Sequence, residues 1–365
     1  MVETRFLVLV LAVAVLPSIA AEKLPKPDRV AAAPTPEQTA LTREGMALHD
    51  QHNYEGAIAK YKQVLSENPW EVTALYELAF SYFENKNYKD ALATTQLGAQ
   101  CKSERLSLFY TLMASSLDEL GRVQESIEIY KAALKQNPRI ELLHYNLAVS
   151  LRRLGKNAEA RAALETALMY EPNHASAHGT LGAVYRDMGY RIPAILAYSR
   201  FLALEPESPR AMKILPDLQA LITGGVTSGK DSNNINITIS APSKALLDEG
   251  DFSGVEMSMA IVLAADLIKK PGEAKEKPAS TFERLVSIYS MIGESLDNSK
   301  PKRGFAATYY SPYFSALVKA GHTEAFVSQA WKGGKVDGAS DWAKANEGKL
   351  ESFRTWSQTF QWPVK

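Results

Sequence analysis

The chain has 365 residues, 46% apolar and 22% charged, with 41 basic and 41 acidic side chains and a formal net charge of zero. That length accommodates two domains and the apolar share supports buried cores in both. The even charge excludes a general nucleic-acid or anionic-membrane binder, which would show a basic excess. The single cysteine, Cys101, excludes an intrachain disulfide.

In chain order, the first twenty residues read as an export signal. Arg5 supplies the charged start, Phe6 to Leu16 is an unbroken apolar run, Pro17 breaks it, and Ser18-Ile19-Ala20 offers small residues for cleavage after Ala20. No later stretch is long and apolar enough to span a bilayer. The expected location is therefore exported, periplasmic or secreted, the alternative being that the apolar run stays as an uncleaved membrane anchor. Residues 21–37 read as a flexible N-terminal segment.

From residue 38 the sequence repeats. Gly45, Ala79, Ala114, Ala148 and Gly182 form one column of small residues, and Ala57, Ala91, Ser126, Ala160 and Ala194 form a second in the same phase. Tyr61, Thr95, Tyr130, Leu164 and Tyr198 form a third, and Pro69, Ser103, Pro138, Pro172 and Pro206 close each unit. Such a period predicts five pairs of amphipathic helices. The small columns let paired helices approach, the large column fills the gap to the next unit, and the proline ends the second helix. The turns are expected at Asn53-Tyr54, Asn87-Tyr88, Gly121-Arg122, Gly155-Lys156 and Gly189-Tyr190. A one-residue insertion between Gly98 and Ala114, where Ser103 replaces the proline, predicts an irregular turn around Cys101. Pro209 to Ile222 reads as the capping helix that closes such an array.

This pattern resembles the tetratricopeptide repeat family, most clearly in "HYNLAVSLRRLGKNAEARAALETALMYEP", residues 144–172. The resemblance covers residues 38–222 with the cap. It implies an all-α fold there, a solenoid of five helical hairpins and a capping helix; residues 244–365, outside the resemblance, read as a small helical domain. It also implies an inner face lined by the first helix of each pair. The inner candidates are Thr42, Met46, His49; Tyr76, Phe80, Phe83; Thr111, Ser115, Asp118; Tyr145, Asn146, Val149, Arg152, Arg153; and Gly179, Ala183, Arg186. The second unit would present three aromatics, and the fourth and fifth would present three arginines. An aromatic pocket beside cations suits an extended peptide with an apolar anchor and an acidic group. The expected partner-binding set is Tyr76, Phe80, Phe83, Tyr145, Asn146, Arg152, Arg153 and Arg186. Peptide-binding members of the family clamp a terminal carboxylate with asparagine and basic side chains, and Asn146, Arg152 and Arg153 fall on comparable positions. The first unit departs from that pattern, with His49 and Asp50, so a chaperone-type clamp is not assigned.

Residues 223–243 are rich in Gly, Ser, Thr and Asn and read as a linker. Gly224 and Gly229-Lys230 have the spacing of a phosphate-binding loop, but Asp231 stands where a magnesium-binding hydroxyl is needed, and no strand precedes it. Ile235, Ile237 and Ile239 alternate with polar residues as in a strand, whose edge would come from a partner, a second copy or the chain's own groove. Asn236-Ile237-Thr238 is a glycosylation sequon.

Beyond the linker, helices are expected near 253–270, 280–296, 311–320, 322–332 and 347–361, with a Pro- and charge-rich loop at 270–280. Trp331, Trp342, Trp356 and Trp362 read as the core of this domain, the alternative being an aromatic surface for glycans or peptides. His174 and His178 are four apart, but no glutamate lies between them as in a zinc-protease helix and no third ligand is evident. His144 and His178 share a repeat column, which packing explains. Gly250-Asp251-Phe252-Ser253-Gly254 is not a nucleophile elbow, since its serine is one place late. No metal, cofactor or catalytic set is expected. The sequence points to a non-enzymatic adaptor for a protein or extended-peptide partner, with no nucleic acid. Its alternatives are glycan or peptide recognition through the C-terminal aromatics and an enzyme within 244–365.

Overall fold

The computed structural model describes residues 24–228, 235–238, 246–265, 279–299 and 303–363. The export signal at 1–20, the Gly229-Lys230-Asp231 tripeptide, Ile239 and most of the 270–280 loop lie outside them. The chain forms two compact units, Met1–Ala133 and Leu134–Lys365, a division inside the repeat array rather than at the 223–243 linker.

The first unit holds α1 (Pro36–Asp50), α2 (Tyr54–Glu67), α3 (Val72–Glu84), α4 (Tyr88–Gly98), α5 (Leu106–Glu119) and most of α6 (Val123–Gln136). The helix starts are written locally. Thr35 and Gln38 form a reciprocal capping box around Pro36, and Asn53 and Asn87 accept backbone N–H groups at the starts of α2 and α4. Tyr61, at the centre of the first unit's apolar cluster, packs with Ala57, Leu78, Tyr82 and Ala91 and so joins α2 to the next hairpin.

The small column has a direct cause. A Cβ on Gly45 would meet the Tyr61 ring at 2.5 Å, and one on Gly182 would meet the Tyr198 ring at 2.5 Å. Each large side chain therefore lies on the small residue of its own hairpin as well as filling the gap beyond. Gly182→Ala is expected to cost about 1–3 kcal/mol by overpacking this contact, read as a lower urea midpoint with unchanged slope.

Helix reversal in every hairpin uses one left-handed residue: His52, Lys86, Gly121, Gly155 and Gly189, with φ of 60°, 60°, 75°, 69° and 82°. In the first two hairpins the turning residue precedes Asn53 and Asn87 and is not glycine. The irregular turn falls where the insertion predicts. Helix α4 stops at Gly98 and α5 begins at Leu106. Residues 24–35 lie along this unit: Arg29 pairs in parallel with Cys101, accepting from Lys102 N (2.8 Å) and donating to Gln100 O (2.9 Å). Its guanidinium lies over the Trp70 ring at 4.9 Å, and Asn68 donates to Ala32 O (3.2 Å).

The second unit begins with α7 (Glu141–Arg153), α8 (Asn157–Tyr170), α9 (Ala175–Asp187), α10 (Arg191–Leu204) and the cap α11 (Pro209–Thr223). Strands β1 (Val226–Ser228) and β2 (Ile235–Ile237) pair antiparallel, with Val226 opposite Ile237. The strand read at Ile235 thus pairs within its own chain, Ile235 lying opposite Ser228, seven residues earlier. Then come α12 (Ser253–Ala265), α13 (Thr281–Ser299), a π-turn at Ala306–Tyr310, α14 (Ser311–Lys319), α15 (Thr323–Ala330), α16 (Ala339–Ala345) and α17 (Glu347–Thr359). Among the described residues, no helix is long and apolar enough to cross a membrane.

Helix α10 explains why this unit extends past the repeats. Every residue from Ile192 to Leu202 is buried, because α9 and α11 flank it while α15 and the π-turn cover what is left. A helix buried all round must be apolar all round, and "RIPAILAYSRFLAL" is, apart from its arginines and Ser199. The polar exceptions find partners across the contact: Ser199 Oγ bonds the Tyr289 hydroxyl at 2.7 Å, and the Arg200 terminal nitrogen Nη1 reaches α14 and α17, although its Nε is left without a partner among the described residues.

Candidate functional site

In the second unit, α7, α9 and α11 line two depressions that share Arg152 and Thr180. The first, about 510 Å³, is lined by Tyr145, Val149, Arg152 and Arg153 of α7 and by Thr180 and Asp187 of α9, with residues of the α7–α8 turn. The second, about 320 Å³, lies over Ala183, Arg186 and Tyr198 and is walled by Arg210, Lys213, Ile214 and Asp217 of α11. Together they present five basic side chains against two carboxylates.

The arginines are organised by those carboxylates. Arg152 donates Nη2 to Asp187 Oδ2 at 3.1 Å. Arg186 donates Nε and Nη2 to Asp187 Oδ1 at 3.1 and 2.8 Å, and Nη1 to Asp217 Oδ2. Partial burial pushes the Asp187 carboxyl up, yet the hydrogen bonds from Arg186 and Arg152 outweigh it and hold the group below its usual range. Arg210 bonds Glu205 and Ser176 and lies over the Phe201 ring at 5.6 Å. Arg153 is exposed on the same face. The surface is therefore a fixed lattice of guanidinium groups, with Tyr145, Val149 and Ile214 as its apolar elements.

Asn146 is half-buried on α7, and its backbone carbonyl accepts from Ser150. The side chains not anticipated from sequence are Asp187, Asp217, Arg210, Lys213 and Ile214. Asp187 ends α9 and the others sit on the cap, so a reading confined to the first helix of each repeat does not reach them.

In the first unit, Tyr76, Phe80 and Phe83 all stand half-buried on α3. Phe80 stacks on His49 at 4.9 Å and on Tyr76 at 6.2 Å. The Arg105 guanidinium lies 5.9 Å over Tyr76, which extends the row. Phe83 departs from it, packing edge-on against Tyr88 of its own hairpin at 5.3 Å. The row His49–Phe80–Tyr76–Arg105 is the aromatic surface that α1, α3 and α5 build here.

His144, His174 and His178 are structural. His144 and His178 each donate Nε2–H to the proline carbonyl six residues earlier, Pro138 O at 2.8 Å and Pro172 O at 2.9 Å. Nδ1 of His178 accepts from the Tyr310 hydroxyl at 2.7 Å. Burial, then the nearby Arg200 charge, lowers His178 to about 3, so the ring is neutral. His174 Nδ1 caps α9 by accepting from Ala177 N. Trp331 and Trp362 are buried. Trp362 stacks on Tyr313 at 4.9 Å and on Tyr309 at 4.6 Å, and it lines a depression of about 320 Å³ with Tyr170 and Phe360. Trp342 and Trp356 are half-buried.

Two sequence-family models, both described as tetratricopeptide repeat, match the chain: one at residues 48–115, the other at 111–171 and 145–187. No curated protein matches in sequence. The chain is similar to several solved structures over about half its length. A thermophilic TPR protein of Thermus thermophilus, TTC0263, is 22% identical, over 51% of this chain and 98% of that one, with a TM-score of 0.42. MamA is 22% identical, over 44% and 94%, with a TM-score of 0.40. YrrB, a TPR protein with an unusual peptide-binding site, is 18% identical, over 48% and 90%, with a TM-score of 0.39.

Proposed function

We propose that this chain, whose residues 48–187 are tetratricopeptide repeats, is a non-enzymatic adaptor that holds an extended segment of a partner protein against α7, α9 and α11. The observation that carries the reading is the arginine lattice around Asp187. Fixed guanidinium forks recognise carboxylates bidentately, and Tyr145, Val149 and Ile214 beside them accept apolar side chains. The preferred segment is therefore acidic with apolar anchors. The His49–Phe80–Tyr76 row of the first unit offers a separate apolar contact. The adaptor is exported through residues 1–20 and works in the periplasm or outside the cell, in cell-envelope assembly. N-terminal sequencing of the protein from its source then finds Ala21 first; an intact Met1 contradicts export by cleavage.

Selection of a random peptide display library on the full chain tests the binding surface. Selected peptides are expected to be enriched in Asp and Glu beside aliphatic or aromatic residues. The double variant Arg152→Glu, Arg153→Glu should bind them at least tenfold more weakly, since each lost charge-assisted bond is worth about 1.5–3 kcal/mol. Unchanged affinity in the variant, with its helical circular dichroism intact, refutes this surface as the site.

A further inference from the structure

The largest cleft among those described in the second unit, about 750 Å³, belongs to none of the repeats. It lies between α15, the turn Lys332–Gly334, α16 and α17, with Glu207 at its edge. Its apolar lining is Val336, Ala339, Ala343 and Leu350. Ala339 and Ala343 are one helical turn apart on α16, so a ligand can approach that helix closely. Four cations line it, Lys332, Lys335, Lys344 and Arg354, against two carboxylates, Glu207 and Glu347.

The cations are not equivalent. Lys332 is neutralised by Glu207 at 2.6 Å. Arg354 is oriented by Gln329 Oε1, which accepts from its Nε (3.3 Å) and Nη2 (3.1 Å), and is paired with Glu351 Oε2 at 3.6 Å, so among the described residues the unpaired positive charge of the cleft rests on its other two lysines. Lys335 and Lys344 are exposed, and among the described residues neither has a carboxylate within ion-pair distance. The turn that carries Lys335 is built in place. A Cβ on Gly333 would meet Met212 Cε at 2.2 Å and Pro206 O at 2.6 Å, so Lys332-Gly333-Gly334-Lys335 is seated against the start of α11. Lys335 itself holds the left-handed conformation, φ 49°.

We propose that this cleft is a second polypeptide-binding surface, independent of the repeats, which takes an acidic segment with apolar side chains from a partner protein. The volume falls within the range of formed ligand sites. The charge is complementary to carboxylates, and the apolar floor between basic walls fits a chain that alternates the two. The second surface lets one adaptor hold two segments of one partner, or two partners, which raises overall affinity through effective concentration.

A photo-crosslinking peptide tests it. The probe alternates glutamate and leucine around one benzoylphenylalanine, and a matched control has lysine for every glutamate. After irradiation with the full chain, attachment sites are located by mass spectrometry. The expected result is adducts of the acidic probe within residues 328–354, absent with the lysine control. They should fall at least tenfold in Lys335→Glu, Lys344→Glu and persist in Arg152→Glu, Arg153→Glu. Both lysines are exposed; Lys335→Gln, Lys344→Gln gives a smaller loss of the same sign without adding charge. Adducts confined to residues 145–217 support the repeat cleft alone and overturn this proposal, as do equal labelling by the lysine control and labelling indifferent to the lysine changes.

Discussion

Arg200→Ala is expected to destabilise residues 134–365 by about 2–5 kcal/mol, the range for truncating a large buried side chain to alanine and leaving a cavity. Arg200 is 1% exposed, and none of its recorded partners is a carboxylate. Nη1 donates to the Tyr313 hydroxyl (3.2 Å) and Ser357 Oγ (2.6 Å), and Nη2 donates to Asn173 Oδ1 (2.7 Å). The guanidinium lies 5.0 Å over the Tyr313 ring and 5.2 Å over Trp362. Neutral oxygens and two ring faces therefore hold this charge in place of an anion. Alanine removes all of them and leaves a cavity between α10, α14 and α17. Arg200→Lys should recover little, because an ammonium cannot span three acceptors in a plane. Arg200→Met should cost less than alanine, since it fills the space and Tyr313 can still bond Ser357, already 2.8 Å away. Urea unfolding followed by tryptophan fluorescence reads this core directly through Trp331 and Trp362. A loss under about 1 kcal/mol for alanine contradicts the account.

Arg200 also marks the limit of what the sequence discloses. The small and large repeat columns were legible because their contacts lie within one hairpin, as Tyr198 on Gly182 does. Arg200 sits in the same helix as Tyr198, but its partners Tyr313 and Ser357 are 113 and 157 residues away. In isolation it reads as the solvent face of an amphipathic helix. The one local warning was the apolar run on every side of α10. Helix positions after the linker were legible at 311–320, 322–332 and 347–361, which contain or nearly match α14, α15 and α17. Helix α16 was missed because "ASDWAKA" is only two turns long, too short for Ala339, Trp342 and Ala343 to establish a helical period. Of the candidate site, Arg152, Arg153 and Arg186 were legible as residues of the first helices. The carboxylate shared by Arg152 and Arg186, Asp187, was not, because the sharing depends on how α7 and α9 stack.

A pH titration of stability should separate Glu165→Gln from the native chain, with the difference growing from about pH 4.5 to 8 in favour of the variant. The cause is a pair of carboxyl groups served by one cation. Glu249 is 2% exposed and fully engaged: Oε1 accepts from Arg161 Nη1 at 2.9 Å, and Oε2 accepts from the Tyr185 hydroxyl at 3.1 Å and from Ala306 N at 2.8 Å. Three donors thus converge on this one carboxyl group. Glu165 is then left in a buried site beside an anion. Burial first, and the Glu249 charge second, raise it to about 8. A carboxyl group raised on folding adds stability that is complete below its unfolded pKa and lost as pH rises through the folded one. The native chain should therefore lose stability on the order of a few kcal/mol across that window, and glutamine, which cannot ionise, should not. His178, lowered on folding, adds an opposite slope on the acid side, so the difference between variant and native chain is the quantity to plot. Glu249→Gln supplies the decisive sign. With Glu249 neutral, Arg161 has only Glu165 to pair with, 3.5 Å from its Nε, and ionisation of Glu165 becomes favourable. The slope between pH 4.5 and 8 should then be lost or reversed relative to the native chain. Parallel curves for the native chain and both variants would mean that the two carboxyl groups do not share a proton.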